Sequence, residues 1–460
     1  MRKSVFLFIL LIFLSTAFGC SLRESENSTS SEAGPDTLKV ATLYGPLSYF
    51  IYRGEPMGID YENIRRFAEE ENYILDLKLA KNLSQLMEML KNKEVELAAY
   101  PIPYISEYNE DIIHCGPKEI SWQVLVQKEG KDKITDVTEL IGKEIYIEEN
   151  SKYQYRLENL DRELGGGIFI QAIENDTIDS EDLIEMVNNN EIGFTVIDSE
   201  IARLNKSDYP KLDMTLKLSL DQASSWAVAK NSKDLALKID NWEKKNHDSP
   251  VVKEIYKRYY DYGKTDPQTD ISFFKKKNLK KGEDVSAYDN LFKKYSDEAG
   301  FDWEILAAIA YCESGFDQNA QSRFGATGLM QVMPSSAASV GVNPESLYQP
   351  ESNVRAAAKI LSGLDKALQT KITSPEERLK FVLASYNSGL GHIYDSMIIA
   401  EKHGLEPNKW TGNVSIGVLM KSRPEYYNDP DVKHGYFRGR ETVNFVEKVM
   451  SIYQYIKDRK

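Results

Sequence analysis

Cysteine and histidine are scarce in this chain. Its 460 residues hold three cysteines, Cys20, Cys115 and Cys312, and five histidines. Three thiols cannot supply a disulfide framework. Cys115 and Cys312 fall in stretches expected to be different domains and are read as small buried apolar residues. His114, His247, His392, His403 and His434 show no ligand-spaced cluster, so no metal is indicated. No Gly-rich loop stands at a strand–helix junction, and no cofactor is expected. Positive charge is also in deficit: the net charge is -14, which argues against a nucleic-acid partner. That deficit is uneven, because Val285–Lys460 carries a balance of only -1. A long apolar run is missing too. Val5–Leu14 is too short for a stable transmembrane helix.

What is present suits two or three globular domains, with 42% apolar and 11% aromatic residues. Basic Met1–Lys3, the apolar run and small residues up to Cys20 read as a secretory signal over residues 1–20. Ala17-Phe18-Gly19-Cys20 resembles a bacterial lipobox, although Ala17 stands where such motifs usually carry Leu. That resemblance implies that Cys20 becomes a lipidated first residue; ordinary signal cleavage beside a free Cys is the alternative. Ser21, not Asp, follows the cysteine, which implies an anchor on the periplasmic face of the outer membrane. Residues 21–36 are rich in Ser and Glu and read as a disordered tether. Its span would be about 20–25 Å.

From Thr37 to Gly263 strand and helix signals alternate. Strands are predicted at Leu38–Leu43, Leu75–Ala80, Val95–Tyr100, Val124–Gln127, Glu144–Glu148, Ile168–Ile173, Phe194–Asp198 and Ser225–Ala229. Helices are predicted at Tyr61–Glu71, Leu83–Leu90, Ser180–Asn188 and Ala236–Lys245. Such alternation argues an α/β sheet architecture. Gly58-Ile59-Asp60, Leu140–Tyr146 and Ile192–Asp198 resemble the family-3 extracellular solute-binding proteins. The resemblance implies a two-lobed α/β periplasmic-binding-protein fold, with lobe 1 at 37–121 and 219–263 and lobe 2 at 122–218. Amino-acid binders of that family hold the ligand carboxylate with a Thr and an Arg. Here Ile105 and Tyr108 take those places, so a bidentate cation is missing. Asp198 matches the residue that holds a ligand amine and could equally cap a helix. Tyr49 could form an aromatic wall or sit in the core. A cleft of retained shape and changed specificity is expected, with a cell-wall peptide fragment a better fit than a free amino acid.

Residues 264–284, with Lys275-Lys276-Lys277 and Lys280-Lys281, read as a linker. Helical stripes dominate 285–460, predicting a mostly α domain. Within it, Ile305, Leu306, Ile309 and Cys312 share a helix face, Asp302 can cap the start, and Gly315 can close the end. Glu313 arrives where the stripe ends. Poor solvation there would favour its neutral form and suit a proton donor; an exposed helix-end Glu is the alternative. Glu313-Ser314, Gly328-Leu329-Met330-Gln331-x-Met333-Pro334 and Ala384-Ser385-Tyr386-Asn387-Ser388-Gly389 resemble, in order, the signature blocks of family 1 lytic transglycosylases. The resemblance implies a lysozyme-like fold that cuts peptidoglycan glycan strands with Glu313 as the one acid and base. It implies that Ser314 hydrogen-bonds the catalytic carboxylate, that Met330 and Gln331 line the sugar groove, and that Tyr386 and Asn387 position substrate. Core packing rivals that role for Met330, and Asn353 is expected to fix a loop.

Tyr436–Val446 matches the closing motif Glu-Thr-x-x-Tyr-Val, with Phe445 in the Tyr place, so that hydroxyl is lost. Two other readings stay open. Asp317 could act as a second carboxylate in a conventional hydrolase, or the chain could be a non-enzymatic wall-binding lipoprotein. Joining the two resembled families implies regulation, in which a muropeptide in the cleft changes the exposure of the glycan groove.

Overall fold

The computed structural model describes residues 35–104, 110–149, 151–173, 178, 180–206, 208–260, 283–322 and 324–458. The expected signal peptide with Cys20, nearly all of the expected tether, Ile105, Tyr108 and most of the expected linker lie outside these residues. Among the described residues no helix is long and apolar enough to cross a membrane.

The first part is built on two five-stranded sheets. The strands are β1 (Asp36–Leu43), β2 (Phe50–Tyr52), β3 (Glu55–Met57), β4 (Tyr73–Ala80), β5 (Leu97–Pro103), β6 (Ile112–Ser121), β7 (Gln123–Lys128), β8 (Glu144–Glu148), β9 (Phe169–Ile173), β10 (Thr195–Asp198), β11 (Leu212–Asp213) and β12 (Gln222–Ala229). One sheet runs β4-β1-β5-β12-β6 and the other β11-β7-β10-β8-β9. The chain crosses between them twice, around Trp122 and around Leu220. The crossings are tied together, since the Gln123 N–H donates to Ser219 Oγ at 2.8 Å. Each sheet has apolar clusters of its own, so two lobes with separate cores result. This is the periplasmic-binding-protein architecture. β2 and β3 stand apart as a hairpin.

The two thiols among the described residues, Cys115 and Cys312, lie in separate parts, are buried and form no disulfide. Burial pushes Cys115 up to about 12.

The second part is helical. Its centre is the helix Trp303–Ser314, which packs against the helices Asp289–Ala299 and Gly439–Lys457. It is not a one-sided amphipathic helix. Ala307, Ala308 and Ala310 bury its other faces as completely as Ile305 and Leu306 bury the first. Alanine fills the flanks because neighbouring helices approach closely there. Gly315 ends the helix in the left-handed conformation, as the spacing predicts. Asp302 does not cap it. The Asp302 carboxylate instead accepts from Tyr453 Oη at 2.7 Å and Lys457 Nζ at 3.1 Å, a cation and hydroxyl brought over by the last helix.

The Gly328–Met333 loop is tied to the helix Pro350–Leu368 by Asn353. Its Oδ1 accepts from the Met330 N–H at 2.8 Å, and its Nδ2 donates to the carbonyls of Thr327 at 2.7 Å and Leu347 at 2.9 Å. Gly328 has a φ of 81°, and a Cβ there would stand 2.4 Å from Asn353 Nδ2. The glycine is needed for both its backbone and its bareness. Asn353→Ala removes three buried hydrogen bonds and strands the Met330 N–H. The expected loss is about 2–4 kcal/mol of stability, read from urea unfolding of the purified protein.

Candidate functional site

Glu313 stands at the last turn of the buried helix, and its side chain is only 6% exposed. It lines a cavity of about 700 Å³ that also touches Gln331, Asn387, Thr442 and Phe445. The exposed reading of Glu313 is therefore excluded. A carboxylate here meets little water, so its charge depends on protein partners. Those partners come from the other end of the chain. Arg53, in the β2–β3 turn, sends Nη2 to both Glu313 oxygens at 2.9 Å, and Nη1 donates to the Gln331 carbonyl at 2.6 Å. Burial works against the Arg53 charge, but the Glu313 carboxylate more than offsets it and holds the guanidinium above its ordinary range.

Tyr386 lies beside this pair. Its hydroxyl donates to the Met330 carbonyl at 2.7 Å. Burial first, and the Glu313 charge second, push its phenol well above the usual tyrosine range. With Arg53 and Gln331 it lines a second, smaller cavity of about 210 Å³. Asn387 lines the large cavity, and its Oδ1 accepts from the buried Thr442 hydroxyl at 2.5 Å. Gln331 sits at a φ of 46° and folds its Nε2 back onto the carbonyls of Gly328 and Ala320. Its backbone carbonyl therefore faces Arg53.

Two expected roles need correction. Ser314 does not hydrogen-bond the Glu313 carboxylate. Its hydroxyl is used on the carbonyls of Leu329 at 2.8 Å and Ala310 at 3.0 Å, so it ties the helix to the loop. Met330 does not line the groove, since it is 0% exposed and belongs to the main apolar cluster. Its main-chain N–H and C=O, rather than its thioether, do the work of holding Asn353 and Tyr386. Asp317 does not line the cavity; its Oδ1 accepts from the Asn319 N–H at 2.8 Å in a turn. Glu441 is the other carboxylate that residues 285–460 bring to the wall. Phe445 keeps its ring packed on the wall despite the missing hydroxyl.

In the binding part, Tyr49 is half-buried between Tyr44 and Tyr61, at ring distances of 5.7 and 5.3 Å. Asp198 ends β10 and pairs with Lys152. Burial and the charges of Asp60 and Asp198 push Tyr100, in β5, up to about 12. Burial pushes Asp60 up to about 7 against its hydrogen bonds from Trp226 and Ser48. Beyond the expected residues, the structure adds Arg53, Thr442 and two ion pairs between lobe 2 and the catalytic part, Arg438–Glu181 and Arg440–Asp182. Arg53 carries no local signal besides a Tyr-Arg-Gly-Glu turn. Thr442 sits in the closing motif and was within reach.

Comparison with known proteins agrees with both halves. Residues 38–262 match the bacterial extracellular solute-binding proteins, family 3, and residues 290–404 match the transglycosylase SLT domain. A membrane-bound lytic murein transglycosylase F from Desulfosudis oleivorans is 30% identical over 459 residues, covering 100% of this chain and 98% of the relative. One from Pseudomonas fluorescens is 29% identical over 426 residues, covering 91% and 84%. Among solved structures, the unliganded open L-cystine solute receptor of Neisseria gonorrhoeae covers 49% of this chain and 93% of its own, at 16% identity and a TM-score of 0.41. A family-3 binding fold joined to a transglycosylase SLT domain, matched end to end by such a relative, makes this chain a member of the membrane-bound lytic murein transglycosylase F family.

Proposed function

We propose that this chain cleaves the β-1,4 bond between N-acetylmuramic acid and N-acetylglucosamine without water, leaving 1,6-anhydromuramic ends. The observation that carries this is Glu313, nearly water-free on the wall of a groove-sized cavity. In the proposed reaction a protonated Glu313 gives its proton to the glycosidic oxygen as the C1–O bond breaks. The same carboxylate then takes the proton of the muramic C6 hydroxyl, whose oxygen closes on C1. Proton and bond counts balance, and one carboxylate suffices because the substrate supplies the nucleophile. Asn387, held by Thr442, and the backbone around Gln331 would hold substrate polar groups. Asp317 has been placed in a turn off the cavity, which weakens the conventional-hydrolase reading.

In the same reading residues 37–263 act as a sensor and 285–460 as the catalytic domain. Cys20 serves as a lipid anchor on the periplasmic face of the outer membrane. A muropeptide in the cleft beside Tyr49 and Asp198 is the proposed effector. Glycan strands are the substrate, and no nucleic acid takes part.

Digestion of purified murein should yield ends lighter by one water than reducing ends, as read by mass spectrometry. Reducing ends would convert the enzyme into a hydrolase. Glu313→Gln should lower the rate by at least about 10³-fold, since both proton transfers use this group. Muropeptides should raise the melting temperature of the whole protein by a few degrees at saturating concentration. A flat response to all of them would remove the sensor role.

A further inference from the structure

The β2–β3 hairpin reaches out of lobe 1 and ends on the catalytic acid. Its turn residues Arg53 and Gly54 both have positive φ, 50° and 87°. That is the backbone of a type I′ hairpin turn, where Asn or Gly is the usual first residue. An arginine there is strained, and such strain persists where surrounding contacts over-determine the conformation. Here the contacts are visible. Nη2 bridges both Glu313 oxygens and Nη1 holds the Gln331 carbonyl, with the two side chains 9% and 6% exposed. The strand behind the turn is gripped as well. His392 Nε2 donates to the Ile51 carbonyl at 3.0 Å. Its Nδ1 accepts from the buried Lys421 ammonium at 2.8 Å, which fixes the tautomer that can donate.

We infer that Arg53 is a built-in inhibitor of Glu313 that works by charge as well as by bulk. The inference rests on Glu313 being the acid. A general acid must carry a proton on one carboxylate oxygen and aim it at the scissile bond. In this arrangement one guanidinium nitrogen donates to both oxygens, and its charge favours a Glu313 without that proton. Substrate and Arg53 therefore compete for the same two atoms, and the hairpin has to withdraw before a glycan strand can react.

The position of the hairpin provides a route for that withdrawal. Its root follows Tyr49, within the aromatic row Tyr44–Tyr49–Tyr61. Tyr44 also meets Tyr427 of the catalytic part at a ring distance of 5.8 Å. Lobe 2 holds the catalytic part separately, through Arg438–Glu181 and Arg440–Asp182. With both lobes attached to one rigid helical body, a change of the angle between lobes cannot keep both attachments. A ligand that resets that angle strains the hairpin contact directly.

The test uses the full chain in detergent, with wild type, Arg53→Met, Arg53→Lys and Glu313→Gln. Initial rates of murein digestion are measured together with hydrogen exchange of residues 50–57. Arg53→Met keeps most of the bulk and removes the charge; it should digest at least tenfold faster than wild type, and Arg53→Lys should fall between them. Exchange of the hairpin should quicken in both Arg53→Met and Glu313→Gln, because each breaks the same pair. Arg53→Gly, which suits the left-handed backbone, replaces the Met variant if that fails to fold. A rate for Arg53→Met within twofold of wild type would overturn the inference. So would unchanged exchange in both variants. Glu313→Gln that still digests murein sinks the acid assignment instead, and quickened exchange would then mark the hairpin as a docking contact alone.

Discussion

A single carboxylate withdrawn from water organises this molecule. Glu313 ends a helix buried on every side, so neither of its charge states is cheap without help. Everything around it answers that constraint. The helix is alanine-rich so that its neighbours close over it. The loop behind it is pinned through Asn353, Ser314 and the Met330 main chain. Tyr386 adds a buried phenol whose own ionisation is suppressed first by that burial and then by the same negative charge. A carboxyl so placed meets protein partners more than water, which is the setting the proposed one-carboxylate mechanism calls for.

The binding part is more than an appendage. Its two sheets carry separate cores joined by two short crossings, the kind of construction from which hinged domains are built. Each lobe touches the catalytic part with a different kind of contact. Lobe 1 offers an aromatic row and a hairpin tip, and lobe 2 offers acidic side chains to two arginines of the closing segment. Beneath that segment Asp395 receives Lys421, His434 and two backbone N–H groups, and these hold its carboxyl well below the usual range despite burial. The docking face is thus as firmly built as the groove.

Much of this was legible from residue order. Ser180–Asn188 and Glu144–Glu148 appear with the bounds their patterns predict, and the other predicted strands and helices shift by a few residues. Other elements were missed, including β6 and the helices Ser199–Lys206 and Pro250–Tyr260, although the last of these buries Val252, Ile255 and Tyr259 at helical spacing. The β2–β3 hairpin is too short to show alternation, and the helix Lys152–Leu164 is mostly polar, with burial confined to Tyr153, Leu157 and Leu160. Ser314 and Met330 mark the limit on the site itself. Their identity within a motif reports that they matter, but whether side chain or backbone acts depends on the neighbour that claims each polar atom.

Sequence alone determined the two fold classes, the order of the parts and the candidate acid, because periodicity and motif spacing are local properties of the chain. The meeting of Arg53 with Glu313 was decided only in three dimensions. The two residues are 260 positions apart, and each looks ordinary in its own segment. A guanidinium and a carboxylate become a buried ion pair only where both are withdrawn from water together, and that setting exists only once both halves of the chain have folded and met.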